Sequence, residues 1–242
     1  MDKAVALAGL TRSEARKAIA AGRVQVDDQP VRDGSMQVDP RQVRVDGVQT
    51  VDAGALYIMV HKPAGVVTAT EDRSLPTVVG LLPPTLQRRG LGPVGRLDRD
   101  VTGLVLLTTD GQLAHRLISP RWKAEKLYRA ECEGELGPAE VEAFAAGVAL
   151  SDFTARPAAM TVLEAGSEAS TADVVLTEGK FHQVKRMFAA VGHPLVSLAR
   201  LRIGCVALDP ALAPGEWRHL TGEEVAGLKA LCGLQETGDR NG

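Results

Sequence analysis

The sequence predicts an α+β protein: a small N-terminal α/β module followed by a larger domain built on a mainly antiparallel mixed sheet with flanking helices. Three observations carry this. From residue 56 onward, strand-like and helix-like segments are mixed without the regular βαβ alternation that builds a parallel sheet. The first 48 residues hold a helix and short strands of their own, set off by "QTVDAGA" (49–55), small residues with no clear period. The chain has 242 residues, 45% of them hydrophobic, enough for a small domain joined to a medium one. The expected divisions are 1–48, a linker at 49–55, a main domain at 56–232 and a disordered tail at 233–242. Only 3% of residues are aromatic, so the core must be mostly Val, Leu and Ala.

In the front module, Thr11 and Glu14 have capping-box spacing and should open a helix that Gly22 stops. Arg12, Arg16 and Arg23, spaced by four and seven, would line one face, with Lys17 at its edge. Ala15, Ala18 and Ile19 form the apolar side. Glu14 is the one acid against these four cations, and clustered cations on a helix suit phosphate contacts. A solvated helix surface is the plainer explanation. "RVQVDD" and "QVRVDG" alternate as half-exposed strands do. The order helix, turn, basic helix, "AGRVQVDDQPV" and closing "VRVDG" resembles the small alpha-L type RNA-binding domain.

In the main domain, Leu56 to Val60 reads as a strand, ended by the turn in "HKPAGVV". "LPTVVGLLPP" is a short helix or turn, and "LVLLT" is a strand buried on both faces. Asp110 can cap the helix "GQLAHRLIS". "EKLYRAECEG" alternates, placing Lys126, Tyr128, Ala130 and Cys132 on one face. "PAEVEAFAAGV" is helical to Gly147, and "ADVVLTEGK" is a strand. "HQVKRMFAAVG" sets Val184, Met187, Phe188 and Val191 on one helical stripe, stopped by Gly192. "LVSLARLRIGCVAL" is strand-like, and Thr221 with Glu224 forms a capping box for a terminal helix.

Composition narrows the function classes. A net charge of −2 and a pI near 6.2 mean that any nucleic acid must be held by local basic surfaces. Two such zones stand out: Lys180 to Arg202, with no acid between Glu178 and Asp209, and His115 to Arg129, with Glu125 alone opposing. Cys132, Cys205 and Cys232 are scattered and form no zinc pattern, as in a reducing compartment. No signal peptide and no membrane-length apolar run is visible, so a soluble cytoplasmic protein is expected. No phosphate-binding glycine motif implies a nucleotide cofactor.

The chemistry-bearing stretch is "GRLDRDVTG", where Asp98 and Asp100 stand among Arg96 and Arg99. A functional carboxylate needs a cation to fix its rotamer. On a helical wheel Lys185 falls about 100° from Val184, at the rim of the apolar stripe, and could reach a half-buried acid. Arg186 falls about 200° away and should face solvent or phosphate. On position alone Asp98 is more simply a turn residue or a structural ion pair than a catalytic group, and Tyr128 more simply a core tyrosine. No triad is legible around His115 or His182.

Together, "GRLDRDVTGLVLLTTDG", "EKLYRA" and "EGKFHQVKRMFAAVGHPLVSLARLRIG" resemble the pseudouridine synthases that carry an N-terminal alpha-L domain, in particular the bacterial branch acting on small-subunit (16S) rRNA. "VHKPAGVVTATED" and "LAPGEWRHLT" also fit that branch, although His61 stands where some relatives have asparagine. The resemblance implies a catalytic set of Asp98 as nucleophile, Tyr128 as active-site tyrosine and Lys185 as the basic partner. It implies an RNA-binding set of Arg96, Arg12, Arg16, Lys17, Arg23, Arg186 and Lys180. No cofactor or metal is expected, the partner would be ribosomal RNA, and the protein would act as a monomer. Large-subunit (23S) rRNA enzymes share these motifs. Two rival classes are a non-catalytic RNA-binding assembly factor and a metal-dependent phosphotransferase using Asp98, Asp100 and Asp110.

Overall fold

The computed structural model describes residues 12–36, 38, 42–46, 48–49, 55–87 and 90–234. Thr11 of the expected capping box, the side chain of Arg12, the first helix of the module and most of the linker and tail lie outside the described residues. The chain divides into two compact units, Met1–Ala55 with Pro84–Gly90, and Leu56–Pro83 with Leu91–Gly242.

In the first unit, α1 (Arg12–Ala20) precedes four strands: β1 (Val24–Val26), β2 (Gln29–Val31), β3 (Val43–Val45) and β4 (Val48–Gln49). They form one antiparallel sheet in the order β2-β1-β3-β4. Ala15, Ala18 and Ile19 are buried against Val24, Val43 and Val45, as the apolar side of the helix required. Asp27 (φ 49°) and Asp28 (φ 62°) make the two-residue turn between β1 and β2, both left-handed as a tight hairpin demands. Strand β4 extends the sheet into the segment read as linker, because Val48 pairs with Val45.

Arg23 departs from the expected helical face. Gly22 (φ 71°) reverses the chain: the Arg23 N–H donates to Ala18 O at 3.0 Å and the Gly22 N–H to Ile19 O at 3.0 Å. That is a Schellman ending, so Arg23 leaves the helix axis. Its guanidinium pairs instead with Asp46, Nε to Oδ1 at 2.7 Å.

The second unit holds a nine-stranded mixed sheet. Its strands are β5 (Tyr57–Lys62), β6 (Gly92–Pro93), β7 (Thr102–Thr108), β8 (Lys126–Glu133), β9 (Ala159–Ala165), β10 (Ala169–Leu176), β11 (Leu195–Ile203), β12 (Val206–Ala207) and β13 (Trp217–His219). The main order is β13-β5-β7-β11-β8-β10-β9, with β12 on β11 and β6 on β7. The β7–β11 pair is parallel and the other pairs are antiparallel. At this junction Gly103 (φ 101°) faces Arg200 so closely that a Cβ would lie 2.2 Å from Arg200 O. Only glycine permits that approach.

Strand β7 is buried on both faces. Leu104 and Leu106 face a core shared with Leu113 and Leu117 of α2 (Gly111–Ile118) and Leu228 of α5 (Gly222–Leu231). α3 (Pro138–Ala146) and α4 (Gln183–Ala190) meet through Phe144 and Phe188, edge to face at 5.1 Å. Asp110 caps α2 by accepting from the Leu113 N–H at 3.0 Å, and Thr221 with Glu224 caps α5 reciprocally. "LVSLARLRIGCVAL" is two strands, broken by the turn at Gly204 (φ 55°). Among the described residues no helix is long and apolar enough to cross a membrane.

Candidate active site

Asp98 lies in the loop between β6 and β7, and the backbone of that loop is pinned on both sides of it. Before it, buried Thr68 takes the Leu97 N–H at 3.1 Å and donates its hydroxyl to Leu97 O at 2.8 Å. After it, Lys62 Nζ donates to Arg99 O at 3.1 Å and Val101 O at 2.6 Å, and also to Pro63 O at 3.0 Å. The Gly65 N–H adds a bond to Arg99 O at 2.8 Å. Lys62 is fully buried, and that burial pushes its pKa down to about 8 against the pull of Asp100 and Asp98. The segment "HKPAGVVT" is thus a brace for the aspartate loop. Sequence reasoning had seen in it only a strand end and a turn.

Two nitrogen-bearing side chains, Lys185 and His182, converge on Asp98 from the start of α4. Lys185 Nζ is 3.3 Å from Asp98 Oδ2, and His182 Nε2 is 3.4 Å from Oδ1. The Asp98 side chain keeps 30% of its exposure, so it is open to a ligand. Lys185 sits one residue beyond the buried Val184 and leans from the rim of the stripe, as the wheel required. It also bonds both oxygens of Asp100, at 2.8 and 2.7 Å. Burial acts against the lysine charge, but the bonds to Asp100 and Asp98 outweigh it and raise the lysine pKa. The same bond from Lys185 holds the Asp100 carboxyl below the usual carboxylate range.

His182 was missed in sequence, where no triad could be read. Its backbone is left-handed, φ 48° and ψ 31°, at the residue before α4. A non-glycine residue is uncommon there, and from that backbone the imidazole reaches the acid. The turn is buttressed by buried Gln183, whose amide donates to Glu178 Oε1 at 2.6 Å and whose carbonyl accepts the Lys180 N–H at 2.9 Å.

Asp98, Lys185 and His182 share a cleft with Tyr128, which is 7% exposed on β8. Leu97, Val101, Leu176 and Leu198 supply apolar walls. Arg96 and Lys180 are exposed at the same cleft, and Arg96 has no carboxylate partner among the described residues. The cleft therefore offers a half-open carboxylate with the Lys185 ammonium near one oxygen and the His182 imidazole near the other, an aromatic wall and a basic mouth.

Much of the basic charge in the two sequence zones is spent on structure. Arg186 pairs with Asp152, Arg129 with Asp173 and Arg202 with Glu125. Arg200 is buried and donates to Leu104 O at 2.9 Å, and Arg116 donates to Cys232 O at 2.7 Å. Acids from other strands and loops neutralise what looked like one-signed runs. Arg186 does point away from the core, but toward an acid. In the first unit Arg16 and Lys17 are exposed.

The geometry does not support a cation site made by Asp98, Asp100 and Asp110. The first two share the Lys185 ammonium, and Asp110 caps α2 while accepting the Tyr57 hydroxyl at 2.9 Å. Among the described residues no cluster of three or more metal-ligating side chains is found.

The profile of the RNA pseudouridylate synthases matches residues 56–190, and that of the S4 domain residues 2–43. Ribosomal small subunit pseudouridine synthase A of Escherichia coli (strain K12) is 42% identical over 94% of this chain and 99% of its own. The uncharacterised RNA pseudouridine synthase YtzG of Bacillus subtilis is 41% identical over 93% of this chain and 96% of its own. A solved pseudouridylate synthase crystal structure superposes with a TM-score of 0.68 at 37% identity, covering 94% of this chain and 98% of that one.

Proposed function

The chain belongs to the RNA pseudouridylate synthase family, and on that premise we propose that it isomerises a uridine of small-subunit ribosomal RNA, with Asp98 as the group that acts at the sugar. The reaction breaks the bond from C1′ to N1 of uracil, turns the base and joins C1′ to C5. The C5 proton leaves and N1 gains one, so atoms and electrons balance without an outside reactant.

One observation carries the reading: the Asp98 carboxylate is held by Lys185 and His182, one on each oxygen, in a cleft walled by Tyr128. A carboxylate must be ionised and aimed to attack C1′ or to take the 2′ proton on a glycal route. Lys185 and His182 fix its rotamer, and Lys62 and Thr68 fix the backbone beneath it. In this reading Tyr128, which lines the cleft, packs on the everted uracil, and its hydroxyl takes part in proton transfer at C5. Extruding the base from folded RNA costs a few kcal/mol, which phosphate contacts elsewhere must offset. Arg96 and Lys180 hold the backbone at the cleft or fill the space that the base vacates. Arg12, Arg16 and Lys17 of the first unit provide a second foothold, which Arg23 joins by exchanging Asp46 for a phosphate, and two weak footholds on one chain raise avidity. Arg186 joins the cleft's basic rim by exchanging Asp152 for a phosphate. The three free thiols support a cytoplasmic place of work.

The test is tritium release from 5-tritiated 16S rRNA. Wild type should release tritium, whereas Asp98→Asn and Asp98→Ala should release none and bind the RNA within a few-fold of wild type. Turnover by either variant at the wild-type rate would refute the role of Asp98.

A further inference from the structure

The cleft mouth carries a feature that the chemistry above does not use. Phe181 is 76% exposed, the largest exposure of any big apolar side chain among the described residues. It is nonetheless held in place: its ring stacks on the imidazole of His182, centroids 3.8 Å apart and planes 17° apart. His182 lines the cleft and reaches Asp98. Two parallel rings therefore form a step from solvent to the reacting carboxylate, with the outer face of Phe181 left open. Cations stand beside the step. Lys180 Nζ lies 3.5 Å from the Phe153 ring centroid, and Arg96 is exposed at the same cleft.

A flat apolar face beside cations fits a nucleobase on a phosphate backbone, because every base has a π-face and stacking tolerates any sequence. When a uridine is turned out of its stack, its neighbour loses a covering ring. We propose that the outer face of Phe181, backed by His182, is the stacking platform for the RNA base next to the uridine in the cleft. This deepens the reading of the site as a uridine isomerase and rests on it.

The platform is tested with Phe181→Leu, which keeps apolar bulk without a π-face, and Phe181→Tyr, which restores the ring. The probe is 16S rRNA transcribed in vitro. Kd is measured across salt concentrations, and KM and kcat by tritium release. Phe181→Leu should weaken binding and raise KM by about 5- to 100-fold, the loss of one stacked base. The slope of log Kd against log salt should not change, since no phosphate contact is lost. Turnover at saturation should stay within about threefold of wild type, and Phe181→Tyr should behave as wild type. With 2-aminopurine placed in turn on each side of the uridine that wild type isomerises, one position should respond to the Phe and Tyr proteins and not to the Leu protein.

An unchanged Kd for Phe181→Leu overturns the platform, as does an equal loss in the Leu and Tyr variants, which would point to shape rather than stacking. So does a 2-aminopurine response that is identical in all three proteins. If wild type releases no tritium, the isomerase reading fails by itself, and the platform beside a reacting uridine falls with it. A positive tritium result with an unchanged Kd leaves the isomerase standing and sinks the platform alone.

Discussion

Lys185 Nζ lies 3.3 Å from Asp98 Oδ2 and, on its other side, 2.7 Å from an oxygen of Asp100. One ammonium therefore holds two carboxylates apart and in place. In Lys185→Met the two acids face each other without it, and Asp98 keeps His182 alone. Single-turnover tritium release should fall by about 10²–10³-fold, the scale of losing one preorganised electrostatic partner. RNA binding should change far less. A Met variant with the wild-type rate would remove Lys185 from the site.

Lys62 should show its role in two pH profiles of opposite slope. As an ammonium it offers three hydrogens to three carbonyls, and burial brings its pKa down to about 8 from an ordinary 10.5. The folded value lies below the unfolded one, so the charge costs stability, fully so below pH 8. The cost is relieved between about pH 8 and 10.5, where the unfolded chain binds more protons. Stability from this group thus rises across that window. The rate should fall there, because an amine has one hydrogen fewer for the loop that carries Asp98. Lys62→Met should lose both trends and orphan buried carbonyls at about 1–3 kcal/mol for each group left unpaired. Urea melts at pH 7 and pH 10, with single-turnover rates at both, provide the check.

Gly103→Ala should be among the most damaging single-methyl additions. The new Cβ would lie 2.2 Å from Arg200 O and 2.7 Å from Arg200 N, on a residue at φ 101°. Neither atom can give way without parting the parallel β7–β11 pair that sits between the aspartate loop and the Tyr128 strand. A loss of about 4 kcal/mol or more is expected, read as insoluble protein or a collapsed melting transition. A melting temperature within a few degrees of wild type would contradict the close approach.

Removing residues 1–55 should raise the Kd for 16S rRNA and flatten its salt dependence, since phosphate contacts are lost with Arg12, Arg16, Lys17 and Arg23. Melting of the remaining unit should shift little by comparison. An unchanged Kd at matched salt would count against the first unit as an RNA foothold.

Strands and helices with strong periods were legible because their neighbours in sequence decide them. β7, β8 and α4 are such cases: one reads as an apolar run, one alternates, and one repeats every three to four residues. The strands that escaped lack that signal. β9 is mostly exposed, with burial at Met160 and little alternation, and β13 spans three residues. Both run along the outer positions of the sheet, where hydrogen bonds to a partner, rather than side-chain pattern, make the strand. Arg23 was misplaced for a related reason. A glycine ending redirects the chain at Gly22, and spacing along an ideal helix does not register the reversal.

By itself the sequence determined the class of fold and the strongly periodic elements, and the wheel of one helix set Lys185 where it could reach inward to an acid, whereas Asp98 was singled out as that acid by the resemblance to a family and not by its local pattern. Only the tertiary structure decided which groups surround that acid. His182 enters through a left-handed backbone, Lys62 and Thr68 from a strand end and the loop after it 30 or more positions earlier in the chain, and part of the basic zones is paired with acids from elsewhere in the chain, as Arg129 with Asp173 and Arg186 with Asp152. The physical reason is range. Hydrogen bonds and ion pairs act over a few ångströms of space, so their partners are set by how the sheet brings distant segments together, and separation along the chain carries no record of that distance.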